Sequence, residues 1–155
     1  MTEKIPTAAL TESRLGLIYE SFQRLTGRPL LAPPVADDLP RAMWAAPQVI
    51  VAHGMQPDPI FFYGNRLALE VFAMSYASFT QLPSRHSAEP LAREERQRLL
   101  DRVTRYGYID DYAGIRISAQ GQRFRIEQAV VWNLIDAQGQ RHGQAATFSQ
   151  WQAVA

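Results

Sequence analysis

The 155-residue chain contains no cysteine. That absence excludes disulfides, thiolate metal ligands, cysteine nucleophiles and cysteinyl cofactor adducts. No stretch approaches the ~20 consecutive apolar residues that a membrane-spanning helix needs. The N-terminal run MTEKIPTAALTESRLG lacks the apolar h-region of a signal peptide. The expectation is a soluble, cytoplasmic protein with no membrane partner. An excess of charge is also missing. A formal net charge of +1 gives no general electrostatic case for binding nucleic acid or an anionic membrane. There is no Gly-rich phosphate loop, no Gly-x-Ser-x-Gly and no His-Glu-x-x-His. Lysine is nearly absent, since fifteen of the sixteen basic residues are arginine, which reads as compositional bias rather than a binding device.

What is present suits one folded domain with a core: 46% hydrophobic and 20% charged residues. Residues 1–10 read as frayed. From Thr11, Leu15, Ile18, Phe22 and Leu25 recur at helical spacing, Thr11 or Ser13 is a candidate cap, and Gly27 with Pro29 is a stop. The run APPVADD is a Pro-rich linker. A short helix capped by Asp37 or Asp38 then ends before Pro47. Residues 11–47 thus form an N-terminal helical segment, and residues 48–155 form the core of the chain.

Within that core, QVIVAH (48–53) and IFFY (60–63) read as strands joined by the turn GMQPDP, close enough to pair as a hairpin. Tyr63-Gly64-Asn65 leads straight into a helix from Asn65 to Met74. A short helical turn ends at Pro83. A longer helix follows, with Pro90 in its first turn and Leu99, Val103 and Tyr106 along one face. The period then changes. Residues 108–118, 122–136 and 141–151 read as three strands joined by two AQG turns, an antiparallel meander. The order predicts an α+β fold: a five-stranded antiparallel sheet with helices grouped on one face.

Alternation along 122–136 places Phe124, Ile126, Gln128, Val130, Trp132 and Leu134 on one face, expected to meet the helical layer. Arg125, Glu127, Ala129, Val131, Asn133 and Ile135 share the other. The apolar end of that second face needs a cover. The amphipathic N-terminal helix is one candidate and a second copy of the chain is the other.

The β-β-ααα-β-β-β order resembles PAS domains, and IFFYGNRLALEVFAMS resembles the PAS segment in which the second strand passes through Asn into a helix. More closely, the chain resembles the bacterial, stand-alone MEKHLA domain proteins. The stretches that carry this are RLTGRPLL, HGMQPDPIFFYGNRLALE, FTQLPSRHSAEP, RYGYIDDYAGIRIS, RFRIEQAVVWNL and GQAATFSQW, spread over about residues 18–151. In plants, MEKHLA domains sit at the C-terminus of class III homeodomain–leucine-zipper transcription factors, with a regulatory role attributed to dimerisation or a ligand. This sequence has neither homeodomain nor zipper heptads, so direct nucleic-acid binding is not carried over. The resemblance implies a PAS-like sensory or regulatory module and supplies no reaction, no catalytic residue and no named cofactor.

A PAS-like arrangement implies a small-molecule site between sheet and central helices. The candidate ligand-binding residues are Tyr63, Gln128 and Trp132, with His53 and Asn65 nearby. Gln128 is an amide on an otherwise apolar face, and a buried amide needs partners: the backbone, a water or a ligand. Asn65 is either an N-cap or a ligand contact. Trp132, Phe62, Tyr63, Phe72 and Phe148 either line a cavity or fill the core. No metal site is expected, because three ligands would require all three histidines or added carboxylates. A haem with one axial histidine would draw on His86.

Two further readings stand beside the sensor. One is a ligand-free protein that homodimerises through the second face of strand 122–136. The other is a small enzyme using Asp111, Glu127 or His53 as general base. Asp110 and Asp111 are neighbours on a strand and so cannot form a dyad. Their alternative role is structural, pairing with Arg116 or Arg125.

Overall fold

The computed structural model describes residues 4–32, 38–88 and 90–154, with 90–93 as backbone only. Asp37 and most of the Pro-rich linker lie outside the described residues. Among the described residues the N-terminal segment holds three helices, α1 (Thr7–Thr11), α2 (Leu15–Thr26) and α3 (Leu39–Trp44). The frayed reading of residues 1–10 therefore fails from Thr7 onward, where α1 forms and buries Ala9. Neither Thr11 nor Ser13 caps α2. Its N-cap is Arg14, whose N–H is taken by the Glu12 carboxylate at 2.9 Å. At the other end Gly27 adopts φ 73° and closes the helix, as its sequence position predicts. Asp38 caps α3 through the Arg41 N–H.

Strands β1 (Val49–His53) and β2 (Phe61–Gly64) pair antiparallel, and Asn65 starts α4 (Arg66–Phe72). Next come α5 (Tyr76–Phe79), a 3-10 turn (Ser84–Ser87) and α6 (Pro90–Tyr106). Strands β3 (Tyr108–Ile117), β4 (Arg123–Ile135), β5 (Arg141–Phe148) and β6 (Gln150–Val154) complete the sheet. The order is β2-β1-β5-β4-β3, antiparallel throughout, with β6 on the first half of β4. The last predicted strand is thus two, broken at Ser149.

That break lies opposite a bulge in β4. Gln128 has φ 54°, a left-handed conformation inside a strand, and Glu127 and Gln128 together span one step of β3. The extra residue reverses every face beyond it. Phe124 and Ile126 face α4 and α5 as expected. After the bulge it is Ala129 that stays with that cluster, while Val131 meets Leu99 and Val103 of α6. Val130, Trp132 and Leu134 turn to the opposite side, into a core with Ile18 and Phe22 of α2. The sequence-based assignment of faces holds before residue 128 and is inverted after it.

The sheet therefore separates two cores. On one side lie α4, α5 and α6. On the other, α2 lies along β4, with the Phe22 ring edge-on to Trp132 at 4.9 Å. The Ser21 hydroxyl donates to the Ile135 carbonyl at 3.0 Å and accepts the Ile135 N–H at 2.8 Å. The strand face proposed for homodimerisation is covered within the same chain.

Candidate functional site

Between the sheet and α6 lies a partly open cavity of about 60 Å3. Its walls are mostly apolar and include Val51, Phe72, Leu99, Ile126, Val131 and Phe148. Its polar lining is made by His53, Ser87, Arg96, Tyr112, Arg116 and Gln144. A groove outside it, along the turn 54–59 and the outer side of α6, shares His53, Arg96, Leu100 and Gln144 with the cavity.

Arg96 is 7% exposed and Arg116 is 9% exposed. Arg96 donates to the Ser84 hydroxyl oxygen at 2.6 Å. Arg116 donates to the Ile115 carbonyl at 2.9 Å and to the Tyr112 hydroxyl at 3.1 Å. The Tyr112 ring in turn needs Gly114 beside it, because a Cβ there would collide with the Tyr112 hydroxyl. No ion pair among the described residues involves either arginine. Burial, then the charge of Arg116, lowers Arg96 to about 10, so it stays cationic at neutral pH.

His53 is 8% exposed. Its Nδ1 lies 3.1 Å from the Gly54 carbonyl, a geometry in which Nδ1–H donates, and its Nε2 is buried with no partner. Burial first, then the charges of Arg96 and Arg141, bring it down to about 4 against the opposing Gly54 bond. At neutral pH His53 is an uncharged acceptor.

The structure separates the other candidates. Asn65 is wholly buried and accepts from Ala68 N–H and Ile50 N–H, both at 3.1 Å. It donates to the carbonyls of Met43 at 3.1 Å and Gln48 at 2.9 Å. All of its capacity is spent on joining α3, β1 and α4, so it is a cap and a tie. Gly64 beside it leaves room for the Phe79 ring, which a Cβ would meet at 2.7 Å. Tyr63 and Trp132 are buried on the α2 side of the sheet and not in the cavity, each with its polar atom unpaired. Burial raises the Tyr63 hydroxyl pKa. Gln128 is exposed, because its left-handed backbone turns the side chain out. Besides Asn65, the buried amides among the described residues are Asn133, which donates to the Val103 carbonyl at 2.9 Å, and Gln144, which donates to Asn133 Oδ1 at 3.1 Å. Of the five aromatics weighed for a cavity, Phe72 and Phe148 line it.

The general-base reading loses its geometry. Asp110 and Asp111 are exposed, beside an irregularity in the β3–β4 register, and neither pairs with Arg116 or Arg125. Glu127 pairs with Arg125 at 3.3 Å on the surface. His86, the haem candidate, is exposed. Among the described residues no three histidine, cysteine, aspartate or glutamate side chains converge on a metal-sized site. No helix among them is long and apolar enough to cross a membrane.

Sequence reasoning missed Arg96 and Arg116. Arg96 lies in a helix with charges of both signs, where a charged residue reads as solvated, yet it stands three and seven residues before Leu99 and Val103, on the same stripe. Arg116 shares a strand face with Tyr112 and Gly114.

The MEKHLA domain family model matches residues 12–153. The chain belongs to the MEKHLA domain family. It is 23% identical over 139 residues to the homeobox-leucine zipper protein HOX9 of Oryza sativa subsp. indica, covering 88% of this chain and 16% of that protein. It is 22% identical over 157 residues to ATHB-9 of Arabidopsis thaliana, covering 97% of this chain and 19% of that one. The chain thus spans less than a fifth of the length of these curated relatives.

Among solved structures, a PAS domain from Colwellia psychrerythraea superposes with TM-score 0.59 at 15% identity, over 74% of this chain and 92% of its own. The Aureochrome1 light-oxygen-voltage domain gives 0.54 at 18% identity, over 83% and 89%. A light-oxygen-voltage domain studied with a flavin analogue gives 0.54 at 17% identity, over 77% and 87%. The MEKHLA chain has a PAS-like fold.

Proposed function

We propose that this MEKHLA chain is a sensory or regulatory module that seats a small molecule in the cavity between the sheet and α6. The carrying observation is a mostly apolar cavity that also takes in His53, whose buried Nε2 has no partner, and two buried guanidiniums that form no ion pair among the described residues. Concave, mostly apolar pockets with a few convergent polar groups are the usual form of small-molecule sites. Ligand would act by population shift, favouring one packing of the sheet against α2. In this reading the helices of residues 11–47 report, and the core from residue 48 binds.

A flavin of the kind studied in the light-oxygen-voltage relative does not fit the cavity as it stands. About 60 Å3 lies far below the ~300–1,000 Å3 of typical ligand pockets, and no cysteine is present to form an adduct. Homodimerisation gains no specific support, since Met55 and Tyr106 are the only large apolar side chains exposed among the described residues. The attribution to a stand-alone bacterial branch rests on the sequence stretches quoted above.

The test is a native mass spectrum and absorbance spectrum of the protein as purified, followed by a small-molecule binding screen. Added mass, or a hit that protects the chain from thermal unfolding, supports the module. A bare chain that no small molecule stabilises counts against it.

A further inference from the structure

The polar lining of the cavity is chemically one-sided. Two guanidinium groups line it, each more than nine-tenths buried and near enough for the charge of Arg116 to act on Arg96, and among the described residues none of the ion pairs neutralises them. The carboxylate that acts on Arg96, Asp58, is itself held by the Arg85 guanidinium at 3.0 Å. Burying like charges without a counter-ion is costly, so the site is incomplete as a protein-only structure. A carboxylate matches the fork geometry of a guanidinium and supplies the missing charge. Between Arg116 and Arg96 only three donated bonds are made, to Ile115, Tyr112 and Ser84, out of five N–H donors on each side chain.

His53 adds a second requirement. With Nδ1–H directed to the Gly54 carbonyl, Nε2 carries a lone pair, and this buried acceptor has no donor in the chain. A carboxylate cannot satisfy it, but a hydroxyl can. Size sets the third. A water occupies ~10–15 Å3 of such volume, so a cavity of about 60 Å3 holds roughly four to six non-hydrogen atoms.

Resting on the ligand-binding reading above, we propose that the cavity receives a short-chain hydroxycarboxylate, its carboxylate held by Arg96 and Arg116 and its hydroxyl donating to His53 Nε2. The apolar walls take the short carbon chain.

The test is calorimetric titration of the dialysed full chain with lactate, propionate and the neutral lactamide, with thermal unfolding in parallel. The expected order is lactate tighter than propionate, and both at least tenfold tighter than lactamide. Arg116→Gln weakens lactate at least tenfold. Arg96→Met, which removes a buried uncompensated charge, raises the ligand-free Tm and abolishes the lactate-induced shift. Lactamide binding as tightly as lactate would overturn the proposal, as would unchanged affinity in folded Arg116→Gln or a lowered ligand-free Tm in Arg96→Met. Propionate equal to lactate removes the role of His53. A neutral guest found in the native mass spectrum, with no carboxylate binding, defeats the anion but keeps the sensory module. A bare chain that binds neither class defeats both.

Discussion

Asn65 and His53 show how differently two polar residues can be read. Asn65 sits between a strand and a helix, and capping is a local property, so its role is visible in Tyr63-Gly64-Asn65-Arg66. Its other two bonds reach Met43 and Gln48 and are invisible without the fold. Asn65→Asp keeps both acceptor roles but places a carboxylate against those carbonyls. Urea denaturation should show a loss of about 2–4 kcal/mol. His53 gives a pH signature. Its folded pKa is depressed by burial to about 4 from the usual 6.5, so the unfolded chain binds more protons between those values. Stability present above the unfolded pKa is therefore lost as pH falls towards 4. Comparing pH 7 with pH 4.5, wild type should lose about 2 kcal/mol more than His53→Gln. An equal loss in both would mean that His53 is protonated in the folded protein.

In strand β4 simple alternation fails part-way along. A period of two assigns faces correctly only while each residue advances the strand by one step, and Gln128 breaks that count. Glutamine carries no signal for a left-handed conformation as glycine or asparagine would, so the inversion of Ala129 to Ile135 was not legible. The conformation has a cost that depends on the side chain. Gln128→Val should lower stability by roughly 1–2 kcal/mol, and Gln128→Gly should stay within about 1 kcal/mol of wild type or exceed it. Neither should change binding in the cavity, because Gln128 points outward. Helix α6 teaches the converse. Its Leu99 and Val103 stripe, extended one turn back, reaches Arg96, and an arginine on an apolar stripe is a functional signal.

At the scale of the molecule, one sheet divides two cores and alternation along β4 joins them. Val131 lines the cavity, and the next residue, Trp132, carries the Phe22 ring of α2. Anything that shifts β4 under Val131 moves Trp132 against α2, which is also fastened at Ser21 and Ile135. Hydrogen–deuterium exchange with saturating lactate should therefore change at α2 as well as at α6 and β4. A response confined to the cavity walls would separate α2 from the output. Phe22→Ala should cost about 3–5 kcal/mol and mute that response, since it leaves a void where the two layers touch.

Apart from α1 and the split between β5 and β6, the order of elements was set by local sequence, as were the β1–β2 hairpin, the helix entered through Asn65 and the MEKHLA stretches, because caps, turns and periodicity act within a few residues. The course of β4 after Gln128, the layer to which Tyr63 and Trp132 belong, and the meeting of Arg96 with Arg116 and His53 were decided by tertiary structure alone. Those three side chains come from a helix and two strands separated in sequence, and only the packing of α6 on the sheet brings them to one cavity.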